Sequence, residues 1–192
     1  MTANRIKTIV SSRRRECGMT IIELMVAMVM LAVGLGGLTV LFAAAIQTNN
    51  KNAKDSTATM LAQLILEKIT AQPVNAPANF IVTDCANNNF TIATVGAAGP
   101  SGVGARLNAN GQIDQTQVYN VIPANYAMQY ATCGNGSGQT VYDVRWNVMT
   151  LTPQTRLITV SARQSQGTAS NGSLLGGLRF ALPVTLRGIG GM

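Results

Sequence analysis

Two of the groups that could do chemistry in this chain lie close together, in "CGMTIIELM" (Cys17–Met25). A glycine stands between a basic stretch and an apolar run, and one carboxylate, Glu23, follows it inside the run. From Leu24 to Ile46 no charged residue occurs, a length sufficient for a helix to cross a hydrocarbon core of about 30 Å. An acid at the head of such a segment is costly, so either a cation neutralises Glu23 or its side chain snorkels to the membrane surface. The small residue is also telling. A secretory signal peptide is cut behind its apolar core and discards it, whereas Gly18 precedes the core. Cleavage between Gly18 and Met19 would release a short basic leader, keep the helix, and make Met19 the new amino terminus with Glu23 fifth.

The third chemical feature is a pair of thiols. Cys17 precedes the apolar run, whereas Cys85 and Cys133 follow it. Two cysteines beyond a membrane are expected to be bridged, with a stabilisation of about 4 kcal/mol in the chain-entropy picture. A metal site is not expected, because histidine is absent and no CxxC spacing occurs. Nor is an enzyme or a cofactor. Glu67, Asp84, Asp114 and Asp143 are scattered in unrelated contexts, and the glycine-rich "GAAGPSGVG" lacks the lysine of a phosphate loop.

Composition sets the frame for these residues. A chain of 192 residues has room for one folded domain and a membrane segment. The net charge of +7 suggests an anionic partner until it is mapped. Arg5, Lys7, Arg13, Arg14 and Arg15 against Glu16 supply four of those charges, leaving +3 beyond Gly18 and a weak case for nucleic acid. With the basic residues ahead of the span, the positive-inside rule places the N-terminus in the cytoplasm and the chain beyond residue 50 outside.

The stretch "G-MTIIELMVAMVML" resembles the processing and assembly signature of type IV prepilins and the pseudopilins of type II secretion. The resemblance implies that an inner-membrane prepilin peptidase cuts after Gly18 and methylates the amine of Met19, where the family's commonest first residue is phenylalanine. It implies that Glu23 pairs with the positive N-terminus of a neighbouring subunit, which would supply the missing cation and fix axial register. Further partners implied are other pilin or pseudopilin subunits and an inner-membrane assembly platform. Ala32, Gly34, Gly36 and Gly37 would let helices approach closely, Ala32 and Gly36 having small-xxx-small spacing. The glycines could also substitute for the helix-softening proline of many major pilins, Val40 standing in the matching region; equally, glycine is simply common in membrane helices.

Beyond the span, Thr57, Met60, Leu61, Leu64 and Ile65 recur at helical spacing, with Asp55, Ser56, Thr59, Gln63 and Glu67 opposite. The pattern predicts a helix from Met19 to about Ala71, roughly 80 Å long, stopped by Pro73 and suited at its end by Lys68. "FIVTD" and "FTIATV" read as strands and residues 96–111 as a loop. In "VYDVRWNVM" an apolar face (Tyr142, Val144, Trp146, Val148) alternates with a polar one, and "TPQT" leads into "RLITVSARQ", completing a hairpin with Trp146 in the core. "LRFALPVTLRG" suits a final edge strand because of Pro183. The expected fold is α+β, a long N-terminal helix packed on a C-terminal antiparallel sheet, pilin-like. The expected divisions are a leader (1–18), a helix (19–72, membrane 24–46) and a β-rich head (73–192).

The favoured function is a minor type IV pilin or pseudopilin. The alternative is a pilus-tip subunit that binds DNA or a surface, which would need Arg106, Arg145, Arg156, Arg163, Arg179 and Arg187 on one face. Tripeptides beginning at Asn89, Asn135 and Asn171 match glycosylation acceptors, although Asn-Gly is first of all a turn.

Overall fold

The computed structural model describes residues 18–75, 77–133, 139–165 and 182–191. The chain divides into two compact units, residues 1–48 and 49–192.

Helix α1 spans Ile21–Thr70. Its start is set by Thr20, whose carbonyl accepts the N–H of Glu23 (3.1 Å) and of Leu24 (3.2 Å), while its hydroxyl accepts from Glu23 N–H at 3.3 Å. Thr20-x-x-Glu23 is the spacing of a capping box, so sequence and geometry agree on where the helix begins. It ends at Thr70, three residues before Pro73, which cannot continue a helical ladder. Gly34, Gly36 and Gly37 do not interrupt it. In the first unit the described residues are exposed, and the helix is long and apolar enough to cross a membrane.

In the second unit α1 buries Ala58, Leu61, Ala62, Ile65 and Ile69. This stripe is turned from the predicted one: Met60 is 64% exposed. Alanines carry the difference. Ala58 and Ala62 count for little in hydropathy patterning, yet both are buried in the core. Leu66 packs against Gly188, where a β-carbon would stand 3.0 Å from Leu66 Cδ1.

Strands β1 (Phe80–Thr83) and β2 (Asn89–Ile92) form a separate antiparallel pair. The main sheet is built on β6 (Val141–Thr152), which pairs with β7 (Thr155–Gln164) on one side. On its other side lie β3 (Ala97–Ala98), β4 (Val103–Gly104) and β5 (Ala127–Ala131). Beyond β7 lies β8 (Val184–Gly191), at the edge and just after Pro183. The fold is α+β and pilin-like, with one correction: β3 runs parallel to β6, so the sheet is mixed rather than wholly antiparallel. Both β3 and β4 arise within residues 96–111, read as loop; two-residue strands held by a neighbour's ladder leave no periodicity to detect.

The β6–β7 hairpin has the expected pairing, Trp146 opposite Val160 and Val148 opposite Ile158. Trp146 is 0% exposed and its indole N–H donates to Ala93 O at 2.9 Å. The polar face of β6 departs from the expectation of a solvated surface: Asp143, Arg145 and Asn147 are buried. The reason is a second covering layer. Arg145 Nη1 donates to Gln117 O (2.7 Å), Asn147 Nδ2 to Ser101 O (3.0 Å) and Ala105 O (2.9 Å), and Gln115 Nε2 to Ser161 Oγ (3.0 Å). Arg145 and Asn147 thus each anchor a backbone segment, while Asp143 holds Arg145 in place.

Candidate processing and assembly site

Gly18, Met19 and Thr20 precede the helix, and all three are exposed. A β-carbon on Gly18 would meet no heavy atom within 4 Å. The Gly18–Met19 bond therefore lies in an exposed, uncrowded stretch ahead of the helix. Glu23 lies in the first helical turn, where the positive end of the helix dipole favours a carboxylate. Among the described residues Glu23 forms no ion pair. Ala32, Gly34, Gly36 and Gly37 lie on α1, exposed, and nothing stands within 4 Å of a β-carbon built on any of the three glycines.

Cys85 and Cys133 are joined by a disulfide with Cα atoms 5.0 Å apart. Beside it Asp84, buried, accepts from the N–H groups of Ala86 (2.9 Å), Asn88 (2.8 Å) and Ala131 (3.2 Å) and from Asn88 Nδ2 (3.0 Å). The carboxylate and the disulfide both tie the β1–β2 turn to the end of β5. Asp84 was not singled out from sequence; the local signal is the Asp-x-x-x-Asn spacing of a side chain that folds its own turn.

The five described arginines of this set do not form one face. Arg145 and Arg156 are buried, Arg145 pairing with Asp143 at 2.7 Å, and Arg163 reaches the same carboxylate at 3.4 Å. Arg106 pairs with Asp114 at 2.6 Å. Arg179, and the tripeptides at Asn135 and Asn171, lie outside the described residues; Asn89 is exposed at the start of β2 and accepts from the Thr83 hydroxyl at 2.6 Å.

Two carboxylates give the second unit a defined acid response. Asp114 accepts from the Thr116 hydroxyl, Arg106 and the Thr116 N–H, which lower its pKa from 3.8 to about 2. For Asp84, burial pushes the pKa up, but the Asn88 amide and the backbone N–H groups of Asn88, Ala131 and Ala86 outweigh it, and the net direction is down. A carboxyl lowered on folding stabilises fully above its unfolded value and loses that contribution as pH falls through the folded one. Urea midpoints of a soluble fragment from residue 49 should therefore fall between about pH 4 and pH 2. Asp114→Asn should flatten part of that fall; an identical slope in the variant would exclude Asp114 as a source.

A capped helix that opens on an exposed glycine, bears one acid in its first turn and continues into the core of an α+β head is a pilin-like fold. The comparisons agree: residues 13–39 match the prokaryotic N-terminal methylation motif, the type IV prepilin signature. Neither a curated protein nor a solved structure matches the chain.

Proposed function

We propose that the chain is a minor type IV pilin or pseudopilin, a structural subunit of a pilus or a type II secretion pseudopilus. The observation that carries this reading is the methylation motif at residues 13–39 opening a helix that runs unbroken from Ile21 to Thr70. Prepilin peptidase removes residues 1–18 and methylates Met19. Residues 24–46 span the inner membrane within a helix covering 19–72, with the N-terminus cytoplasmic and the head (73–192) periplasmic. Other pilin or pseudopilin subunits then surround the apolar helix, with Glu23 against a neighbour's amine and the small residues at 32, 34, 36 and 37 at helix crossings. Its role is structural rather than catalytic.

The second reading, a tip subunit that binds DNA through the arginines, is disfavoured because Arg145 and Arg156 are committed to the interior. Mass spectrometry of sheared, purified fibres decides between subunit and bystander. The expected result is a chain beginning at methylated Met19; a full-length chain that functions with its leader attached would overturn the proposal.

A further inference from the structure

The main sheet treats its two sides differently. At the β5 side, the outward groups of Ala131 are occupied, its carbonyl by Cys85 N–H (3.2 Å) and its N–H by Asp84 (3.2 Å). At the other side, β8 offers eight consecutive residues, and among the described residues no hydrogen bond reaches its main chain except from β7. Proteins usually guard such an edge with several charges, prolines or bulges, since a free ladder of N–H and C=O groups templates another strand. Within β8 the one charge is Arg187, and Pro183 stands just outside it.

The side chains along this edge show what kind of strand fits. Pairing across β6, β7 and β8 sets Met149, Leu157 and Ile189 in one row, and Asn147, Thr159 and Arg187 in the next, on the face away from α1. Thr185, Arg187 and Ile189 therefore share that face of the edge, with Ile189 66% exposed. Arg187 is exposed, and among the described residues its only hydrogen bond is to a backbone carbonyl, Asn110 O at 2.9 Å. It forms no ion pair among them. Arg187 lines two clefts, one with Asn110, Gln112 and Thr185 and the other reaching Met149 and Leu157. A guanidinium with unfilled donors beside an apolar row suits a carboxylate next to an apolar side chain.

We propose that the outer edge of β8 docks an extended strand from a neighbouring fibre subunit, whose carboxylate pairs with Arg187 while an apolar residue of the same strand covers Ile189. Main-chain bonds supply adhesion, and the alternating side chains select the partner. Two β8 edges from two copies would bring two cations to one ladder, and like charges close across a strand pair destabilise it. The charge complement thus points to a different, acid-bearing segment. This inference rests on the reading of the chain as a fibre subunit.

The test uses the full chain in cells, with a photoreactive residue at position 189. The expected result is a cross-link to an extended, acid-containing segment of another subunit of the same fibre. Arg187→Glu should reduce that adduct at least tenfold, and reversing the captured acid to lysine should restore it. Arg187 and Ile189 are exposed, so neither change disturbs the core. A cross-link confined to the chain's own residues or to a second β8, or an adduct insensitive to Arg187→Glu, would overturn the proposal. Recovery of the Met19 terminus from fibres in the same samples separates the two claims: fibres containing the processed chain without the adduct sink only the docking edge, whereas absence of the chain from fibres sinks the subunit reading as well.

Discussion

Glu23→Ala is expected to leave the chain inserted in the membrane and cut after Gly18, yet nearly absent from assembled fibres. The argument compares magnitudes. The contribution of Glu23 to its own helix, as an acid in the first turn, is about 0.3–1 kcal/mol and is too small to decide whether the helix forms. Insertion itself should improve slightly, since a charge leaves an apolar segment. The loss falls on assembly. Removing one member of a buried ion pair strands the other charge, at about 3–5 kcal/mol, and each 1.4 kcal/mol is tenfold. Incorporation should therefore drop about a hundredfold or more. Immunoblots of membrane and sheared-fibre fractions measure both quantities at once. Glu23→Gln separates charge from shape: it keeps the size of the side chain and one acceptor oxygen while removing the charge, and on this argument it fails almost as badly. Had Glu23 merely snorkelled to the membrane surface, both variants would assemble normally.

What could be read from the chain follows from how locally each feature is encoded. The N-terminal segment was legible because its logic is one-dimensional: charges, a glycine, one acid and an apolar run, each within a few residues of the next. The β6–β7 hairpin was legible for the same reason, its alternation around Trp146 matching the observed pairing with Val160. The helix face was read imperfectly because Ala58 and Ala62, which bury, resemble neutral residues, whereas Met60, which is exposed, looks like core. The least legible part was the second face of the sheet. Asp143, Arg145 and Asn147 carry the pattern of a wetted surface, and only the covering segments that contain Ser101, Ala105 and Gln117 make it an interior. Those segments are held by polar anchors rather than apolar periodicity, so sequence patterning has nothing to detect. Thr20 is a different case: its capping-box spacing to Glu23 is plain in the sequence, but the cost of the Glu23 charge in an apolar run overshadows the cap.

Arg156 shows how much of the head's stability rests on a residue that reads as solvent-facing. It is 1% exposed, and among the described residues no carboxylate is a hydrogen-bond partner of it. Its Nη1 donates to Thr94 O at 3.0 Å, and its Nη2 donates to the carbonyls of Ile69 and Gln72. At the end of α1 Ile69 O accepts the Gln72 N–H at 3.1 Å, and Arg156 adds a second bond there and fills Gln72 O, so the cation also meets the negative end of the helix dipole. Arg156 thus fastens the helix end to β7 and to the segment after β2. Burial lowers its pKa, but a guanidinium stays protonated at any physiological pH, so the clamp does not titrate. Arg156→Met keeps most of the stem volume and deletes all three bonds. Ile69 O keeps the Gln72 N–H, whereas Thr94 O and Gln72 O are left dry at about 1–3 kcal/mol each, partly offset by removing a buried charge, and a net loss of about 3 kcal/mol is expected. Arg156→Lys should recover only part of it, because an ammonium lacks the planar fork that reaches separated acceptors. Urea unfolding of the soluble fragment, with amide hydrogen exchange read at the last turn of α1, checks both points. An unchanged midpoint for Arg156→Met would mean that the helix end is held by packing of Ile65 and Ile69 alone.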